Sequence, residues 1–250
     1  MQTKSFFLAL LLISACLASA TDCKQPLDPQ TLNRLSLGWD NLELHPGDSH
    51  QLSLAILATY APAQQVPACA AWKVEPEGKG ATISSTGLLT LAPDTPPRSK
   101  FIVTADIEQG RAQRQLAILV YTNDDQPLVG YWQEKSRFGC SAQKETSSLQ
   151  PIRELEFKAK GWFSVTWVPF EVYRDYWGSY NADNSSRVLS LKIEEGNFVP
   201  KDFQGAGKFK LVDKNTLELT GVYLGEKNTT GQDTTASVHG KCRYIFTRNP

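Results

Sequence analysis

Hydrophobic and polar residues alternate in short runs along most of the chain. Gly, Pro, Asn and Asp separate these runs, of which the clearest are "HQLSLAIL", "FIVTADI", "RQLAILVY", "FSVTW", "RVLSLKI", "TLELTGVYL" and "CRYIFTR". A period of two residues is typical of β-strands that bury one face. No segment combines a sustained helical period with caps at both ends. The pattern therefore predicts an all-β chain of many short strands.

The longest apolar run stands at the N-terminus. Residues 1–20 join a charged start at Lys4 to "FFLALLLISACLASA", which is typical of an export signal and too short for a membrane-spanning helix. Two cleavage sites compete. "ISAC" at residues 13–16 resembles the lipobox of bacterial lipoproteins, which implies a lipidated Cys16 as the first mature residue. "ASA", ending at Ala20, fits cleavage to a soluble periplasmic or secreted chain.

Charge and cysteine content limit which cellular compartment and which classes of partner are expected. The chain has 26 basic and 26 acidic residues, so electrostatic binding to nucleic acid or anionic lipid has no support. It has five cysteines, and four remain when Cys16 is set aside. An even number in an exported protein predicts two disulfides, with three possible connectivities.

A polar segment, "TNDDQP", divides the chain. It predicts a linker at residues 123–127 between a first half at 21–122 and a second half at 128–250. This division favours the disulfides Cys23–Cys69 and Cys140–Cys242, because each pair then lies within one half.

The first half has the features of a β-sandwich, with about seven short strands and a central Trp72. Tight turns are expected at Thr86-Gly87 and at Gln109-Gly110. The order of "LELHPGDSHQL", "WKV", "ATISSTGLLT" and "FIVTA" is similar to the group 2 bacterial Ig-like domain. The resemblance implies a spacer or adhesion module of cell-envelope proteins, with no active site.

The second half alternates strand and turn, with hairpin turns expected at "AKG", "DNS" and "DKN". Its opening Gly130-x-Trp132 and an arginine on its last strand, Arg243 or Arg248, resemble the ends of a lipocalin-like (calycin) β-barrel. The resemblance implies that this arginine packs across Trp132 at the barrel base and that the first and last strands pair. Cys140 and Cys242 would then be neighbours, and a disulfide closing about a hundred residues would contribute roughly 4–5 kcal/mol.

Aromatic residues crowd the stretch "WFSVTWVPFEVYRDYWGSY", residues 162–180. Alternation places Phe163, Val165 and Trp167 on the inward face of a barrel strand, and Pro169 ends that strand. The next strand is expected from Gly178. The connection between them supplies the ligand-binding candidates Phe170, Glu171, Tyr173, Arg174, Asp175, Tyr176 and Trp177.

Two alternatives remain for this aromatic connection. Its side chains fold back and plug one end of the barrel, or they form a rim loop that presents them to a ligand at the barrel mouth. A second loop, Gly196 to Gly207, carries Phe198 and Phe203 and is expected to pack against the first.

Catalytic signatures are weak. The chain has three histidines, no G-x-S-x-G motif and no clustered metal ligands, so neither a catalytic triad nor a metal site nor a cofactor is predicted. Glu171 and Asp175 are the best-placed carboxylate pair for a glycosidase, but acidic loop residues beside Arg174 more often form surface ion pairs. We expect no enzyme, with a carbohydrate-active hydrolase as a remote alternative.

These features together predict an exported bacterial cell-envelope protein, at the periplasm or the cell surface. An Ig-like spacer would carry a small barrel that binds an envelope partner, or a small ligand compatible with aromatic side chains, at its mouth. Contact with the membrane would come only from the lipid on Cys16. A purely structural or adhesion-type protein with no small ligand is the alternative.

Overall fold

The computed structural model describes residues 26–38, 40–58, 61–138, 150–167, 174–225 and 242–249. Its regular elements are β-strands apart from one short helix, α1 (Pro29–Arg34), so the predicted all-β class is confirmed. The hydrophobic pattern did not indicate this helix. Its local signals are Asp28, whose side chain accepts a hydrogen bond from Thr31 N–H at the N-cap, and Pro29 in the first turn.

Ten strands form three sheets in the first half. The four-stranded sheet has the order β2 (Leu42–Leu44), β10 (Ala112–Val120), β9 (Lys100–Ile107), β6 (Ala70–Glu75). The second has the order β3 (Ser49–Gln51), β8 (Leu88–Leu91), β7 (Ala81–Ile83). The third has the order β1 (Leu35–Ser36), β4 (Ala55–Ala58), β5 (Ala61–Gln65).

Both turns expected in the first half are confirmed. The β7–β8 hairpin turns at Gly87 and the β9–β10 hairpin turns at Gly110, and each glycine has the positive φ that such turns favour. The four-stranded sheet therefore has a turn end, near Gly110, and a linker end, near Lys100 and Val120. Eight residues of β9 place these two ends about 25 Å apart.

The core of the first half consists of two neighbouring clusters. One is built around Leu89, Val103 and Ile118, and the other around Leu54 and Ile107, all of them buried. The half-buried Trp72 packs against both clusters. Burial of alternate residues along β9 and β10 is what the period-two pattern predicted.

Eight antiparallel strands close into a barrel in the second half. They are β11 (Gly130–Phe138), β12 (Glu154–Lys158), β13 (Trp162–Thr166), β14 (Tyr176–Asp183), β15 (Val188–Gly196), β16 (Ala206–Asp213), β17 (Thr216–Thr220) and β18 (Arg243–Arg248). Pairing of β11 with β18 closes the ring, with Trp132 opposite Arg248 and Phe138 opposite Arg243.

The connections of the barrel divide into two sets, one at each end. Short turns at "AKG", "DNS" and "DKN" join β12–β13, β14–β15 and β16–β17, as predicted, and lie at what we call the base end. The longer connections lie at the opposite, far end, because successive connections of an up-and-down barrel alternate between its ends. Residues 139–149, 168–173 and 226–241 lie outside the described residues.

Cys69 and Cys242 are both in the disulfide-bonded form. Their predicted partners, Cys23 and Cys140, lie outside the described residues, as does Cys16. The pairing therefore stays a prediction.

Candidate functional site

Strand β13 is buried on both faces. Phe163, Val165 and Trp167 are fully buried in the barrel core, as their alternation predicted. Ser164 and Thr166, on the outward face, are also buried. The outer face of this strand is thus covered, which the sequence pattern did not indicate.

The strand after the aromatic connection begins earlier than predicted. β14 starts at Tyr176 and not at Gly178, because Tyr176 and Trp177 pair with Val165 and Ser164 in the ladder. Trp177 is partly exposed on this strand. Of the other candidates, Phe170, Glu171 and Tyr173 lie outside the described residues.

Tyr176 is fully buried inside the barrel. Its hydroxyl donates a hydrogen bond to Leu224 O at 2.7 Å, and its ring lies 5.7 Å from that of Trp167 and 5.8 Å from that of Phe203. Burial raises the pKa of Tyr176 well above its ordinary value, and the nearby Tyr244 and Asp175 add to this effect. This position supports the plug alternative and not a rim loop that faces a ligand.

Asp175 is also buried, and it holds three segments together. Its Oδ2 accepts a hydrogen bond from Trp167 N–H at 2.7 Å, and its own N–H donates to Val165 O at 3.0 Å. Its carbonyl accepts from Phe198 N–H at 2.8 Å. A carboxylate in this position acts as a structural hydrogen-bond acceptor.

The second far-end loop packs against this region, as expected. Phe198 lies 5.9 Å from Trp167, ring to ring, in an edge-on arrangement. Phe203 contacts Tyr176, and Asn197 Nδ2 donates to Arg174 O at 2.8 Å. The described part of the far end is therefore closed by side chains from two loops.

A buried ion pair lies at the same end of the barrel. Arg137 Nε and Nη2 donate to Glu134 Oε1 at 2.5 Å and Oε2 at 2.6 Å, and Ile152 N–H donates to Glu134 Oε2 at 2.8 Å. The Arg137 guanidinium lies 5.2 Å from the ring centroid of Tyr244. Residues three apart normally point to opposite faces of a strand, but the register shift between Glu134 and Ser136 changes the phase. Sequence spacing alone therefore could not predict this pair.

Arg174 belongs to a polar group on the outside of the barrel, which we call the outer-face cluster: Tyr131, Glu156, Lys158, Trp162 and Arg174. Arg174 Nη2 lies 3.3 Å from Glu156 Oε2, and Lys158 Nζ lies 3.7 Å from Glu156 Oε1. Both cations also lie against the Trp162 ring, at 5.1 Å for Arg174 and 5.3 Å for Lys158. Glu156 is 2% exposed, so its pairing matters more than that of a surface carboxylate.

The environment of this cluster shifts the pKa values of two neighbouring groups. Burial, followed by the charge of Glu156, raises the pKa of Tyr131. Burial and the same charge also raise the pKa of Glu154, two residues from Glu156 on the same strand face. The outer-face cluster thus favours the neutral forms of Tyr131 and Glu154, which lie near the paired carboxylate of Glu156.

The first half of the chain docks on the base end of the barrel next to this cluster. Asp40 Oδ2 lies 3.2 Å from Lys158 Nζ and 2.5 Å from Lys160 Nζ, and Lys160 N–H donates to Glu43 Oε1 at 3.4 Å. At a second point, Asn184 Nδ2 donates to Asp125 O at 2.8 Å. The base end therefore faces the first half, and the far end points away from these contacts.

Trp132 and Arg248 close the base end. The Arg248 guanidinium lies over the Trp132 ring at 4.3 Å, and its Nη1 donates to Val129 O at 2.7 Å. A side chain at position 130 would clash with Arg248, since a Cβ there would lie 2.6 Å from Nη1, and Gly130 also has a positive φ. Arg243, the other predicted arginine, lies instead over the ring of Phe138 at 4.7 Å.

A cleft of about 810 Å³ opens at the turn end of the first half. Leu52, Leu54, Val66 and Trp72 contribute its apolar surface, and polar side chains from the β9–β10 turn and from the segment before β8 surround them. Its size lies in the range of ligand-binding pockets. This cleft was not predictable from the sequence, since its walls come from segments that no local pattern brings together.

The described ranges hold neither a cluster of metal ligands nor a membrane-spanning helix. Those residues contain no group of three or more His, Cys, Asp or Glu side chains that could hold a metal ion. No helix in the same part of the chain is long and apolar enough to cross a bilayer.

No protein-family model matches the chain, and comparison with curated proteins gives no significant match.

Proposed function

We propose that this chain is an exported bacterial cell-envelope protein that acts by interaction with a partner, in which an Ig-like spacer carries a lipocalin-like (calycin) barrel. The closed antiparallel ring and the pairing of β11 with β18 support the barrel assignment. So does the contact of Arg248 with Trp132, at the position that the calycin resemblance implies. In the first half, the hairpins at Gly87 and Gly110 and the position of Trp72 support the group 2 bacterial Ig-like assignment.

The filled interior of the barrel is the observation that carries this function. Large side chains less than 2% exposed point into the interior from the strands around the ring: Trp132, Phe157, Phe163, Trp167, Tyr176, Phe209, Tyr244 and Phe246. The Glu134–Arg137 ion pair occupies the far end of the same interior. In a small barrel of this type, side chains fill the centre. Among the described residues, this packing leaves little space for a ligand. Binding therefore uses the outer surface and the far-end connections.

The arrangement of the two halves fits a spacer. The first half contacts the base end of the barrel through Asp40 and Glu43, and the linker contacts it through Asp125. The far end, which carries the long connections, is thereby directed away from the first half. A partner can approach the far end without displacing the first half.

Export and anchoring form part of the same proposal. Lipidation of Cys16 would anchor the mature chain to a membrane by its acyl groups alone, whereas cleavage after Ala20 would release it as a periplasmic or secreted protein. The two disulfides proposed, Cys23–Cys69 and Cys140–Cys242, suit an oxidising compartment. Metabolic labelling with a fatty acid, in wild type and in Cys16→Ser, distinguishes the two forms, because only a lipidated Cys16 incorporates label.

Site-specific photo-crosslinking in cells tests the interaction function. A photoreactive amino acid is placed at exposed barrel positions, one at a time: Val199 on a far-end loop, and Val188 and Val212 on the outer surface. A control variant carries it at Leu88, an exposed position in the first half. The proposal predicts a discrete crosslinked species from at least one barrel position, absent from the Leu88 control. Absence of any such species from all barrel positions would contradict it.

Catalysis is not part of the proposal. The glycosidase alternative relies on Glu171 and Asp175, and the carboxylate of Asp175 is buried and accepts a hydrogen bond from Trp167 N–H. A glycosidase needs a carboxyl group that contacts its substrate directly. The geometry of Asp175 instead favours a role in packing.

A further inference from the structure

The cleft in the first half lies beside Pro26, the first of the described residues. Pro26 lines the cleft, and the next residue, Leu27, donates its N–H to Glu108 Oε1 at 2.7 Å. Glu108 and Arg111, which pair with each other, also line the cleft. The chain is therefore held at the rim of the cleft at Leu27, shortly after residues 21–25.

Cys69 contributes to the wall of the same cleft and is disulfide-bonded. Its carbonyl accepts a hydrogen bond from Glu108 N–H at 2.8 Å, which places it at the turn end of the four-stranded sheet. Cys242 belongs to the barrel core, and strand β9 alone separates the turn end from the linker end by about 25 Å. A disulfide needs Cα atoms within about 7 Å of each other. Cys242 is therefore excluded as the partner of Cys69.

The distance that the chain can span shows which of the remaining cysteines can reach Cys242 and Cys69. Cys140 follows Phe138 by two residues, and Phe138 pairs with Arg243, the residue next to Cys242. Cys140 is thus within reach of Cys242. Cys23 precedes Pro26 by three residues, a distance of about 11 Å at most in an extended chain, so it can reach Cys69 in the cleft wall.

We propose that the cleft is the binding seat of residues 21–25 of this same chain, held there by a disulfide between Cys23 and Cys69. A five-residue extended segment is about 17 Å long, which is enough to cross a cleft of this size. The segment "TDCKQ" carries one acidic and one basic side chain, which complement the Glu108–Arg111 pair on the rim. In forming the bond, the two thiols lose two protons and two electrons to the disulfide of a thiol oxidoreductase, which becomes a dithiol.

This seat would also determine how the molecule is oriented at a membrane. If Cys16 carries a lipid, only seven residues separate it from Cys23, which is about 25 Å at full extension. The turn end of the first half would then lie next to the membrane, and the barrel, on the side of the linker end, would lie away from it. This orientation rests on the proposed lipid anchor, whereas the seat itself does not.

Peptide mapping of the mature full chain, purified from its export compartment without reduction, tests the disulfide. Trypsin should release a peptide ending at Lys24 that is linked through Cys23 to the peptide containing Cys69. Cys140 should be linked to Cys242 in the same digest. Detection of Cys23 as a free thiol, or linked to Cys140 or Cys242, would overturn the proposal.

Amide hydrogen exchange tests whether the segment occupies the cleft. In Cys23→Ser, the amides of Val66, Ala68, Cys69 and Ala70 should exchange about tenfold faster than in wild type, because the covering segment is no longer held. Cys140→Ser should leave these amides unchanged. Equal protection in wild type and Cys23→Ser would show that the segment does not cover the cleft. If Cys23→Ser does not fold, the comparison is made on wild type before and after mild reduction. Both results are independent of fatty-acid labelling and of partner crosslinking.

Discussion

The guanidinium of Arg248 lies 4.3 Å above the ring of Trp132, and the two residues come from the last and first strands of the barrel. Arg248 also donates hydrogen bonds to Val129 O and Pro127 O, on the segment that leads into β11. Trp132 Nε1 in turn donates to Leu128 O at 2.7 Å. One arginine therefore joins the last strand, the first strand and the end of the linker.

Arg248→Ala should destabilise the protein much more than Arg243→Ala. The first variant loses a cation–π contact and leaves carbonyl acceptors of the linker without a donor, at a cost of about 2–4 kcal/mol. Arg243 is exposed, and its guanidinium lies over the ring of Phe138, so its loss should cost less than about 1 kcal/mol. Urea unfolding followed by tryptophan fluorescence measures both. Equal losses would mean that Arg248 has no special role at the base.

Breaking the buried pair of Glu134 and Arg137 should be costly. Glu134→Gln or Arg137→Met removes one charge of this pair from the barrel interior, and such single changes typically cost about 3–5 kcal/mol. The double variant should lose less than the sum of the two single losses, because no unpaired charge remains. Additive losses in a double-mutant cycle, measured by denaturant unfolding, would argue against a coupled pair.

Asp175 should behave as a structural acceptor. In Asp175→Asn the side-chain oxygen still accepts the hydrogen bond from Trp167 N–H, so the loss of unfolding free energy should be small. Asp175→Ala removes the acceptor and leaves a buried N–H unsatisfied, at a cost of about 1–3 kcal/mol. Thermal unfolding of the two variants distinguishes these cases. A greater loss in Asp175→Asn than in Asp175→Ala would show that the charge, and not the acceptor, matters.

The docking of the first half on the barrel should depend on pH. Partial burial alone would raise the pKa of Asp40, but hydrogen bonds from Lys160, Asn41 and Lys158 outweigh it, and the pKa lies below its ordinary value. The stabilisation is therefore fully present above the unfolded pKa, about 4, and is lost as the pH falls through the lower folded value. Burial raises the pKa of Glu43, so its contribution has the opposite sign and falls as the pH rises through that raised value.

Asp40→Asn isolates the first of these contributions. The difference in unfolding free energy between wild type and this variant should be about 0.5 kcal/mol near neutral pH and should vanish at low pH. The effect is small because about a third of the Asp40 side chain is exposed, and 1 M salt should reduce it further. Urea unfolding across a pH series measures the difference. A difference that persists at the lowest pH would contradict the electrostatic origin.

The strands and hairpin turns were largely predictable from the sequence because they depend on local patterns. Alternation identified the inward face of β13, and the three predicted hairpin turns identified six of the barrel strands' boundaries within a few residues. The start of β14 was misplaced because Tyr176 and Trp177 follow a proline-interrupted segment that looks like a loop. The start of β14 is decided by its ladder partners, Val165 and Ser164, which lie ten or more residues away in the sequence.

The candidate sites were less predictable, since they depend on contacts that are distant in sequence. The approach of Asp40 to Lys158 and Lys160 joins residues more than a hundred positions apart. The Glu134–Arg137 pair requires a change of strand register that residue spacing does not reveal. The sequence left a plug and a rim loop as alternatives for the aromatic connection. The burial of Tyr176 and Asp175, which favours the plug, depends on contacts that the sequence does not show.

Native mass spectrometry of the mature full chain tests the central claim, that the barrel interior is a packed core and binding takes place outside it. The protein is purified from its export compartment without denaturation, and its mass is compared before and after unfolding. A packed interior predicts the same mass in both states, equal to the polypeptide plus any covalent lipid. A stoichiometric small molecule that is present in the native state and lost on unfolding would contradict it.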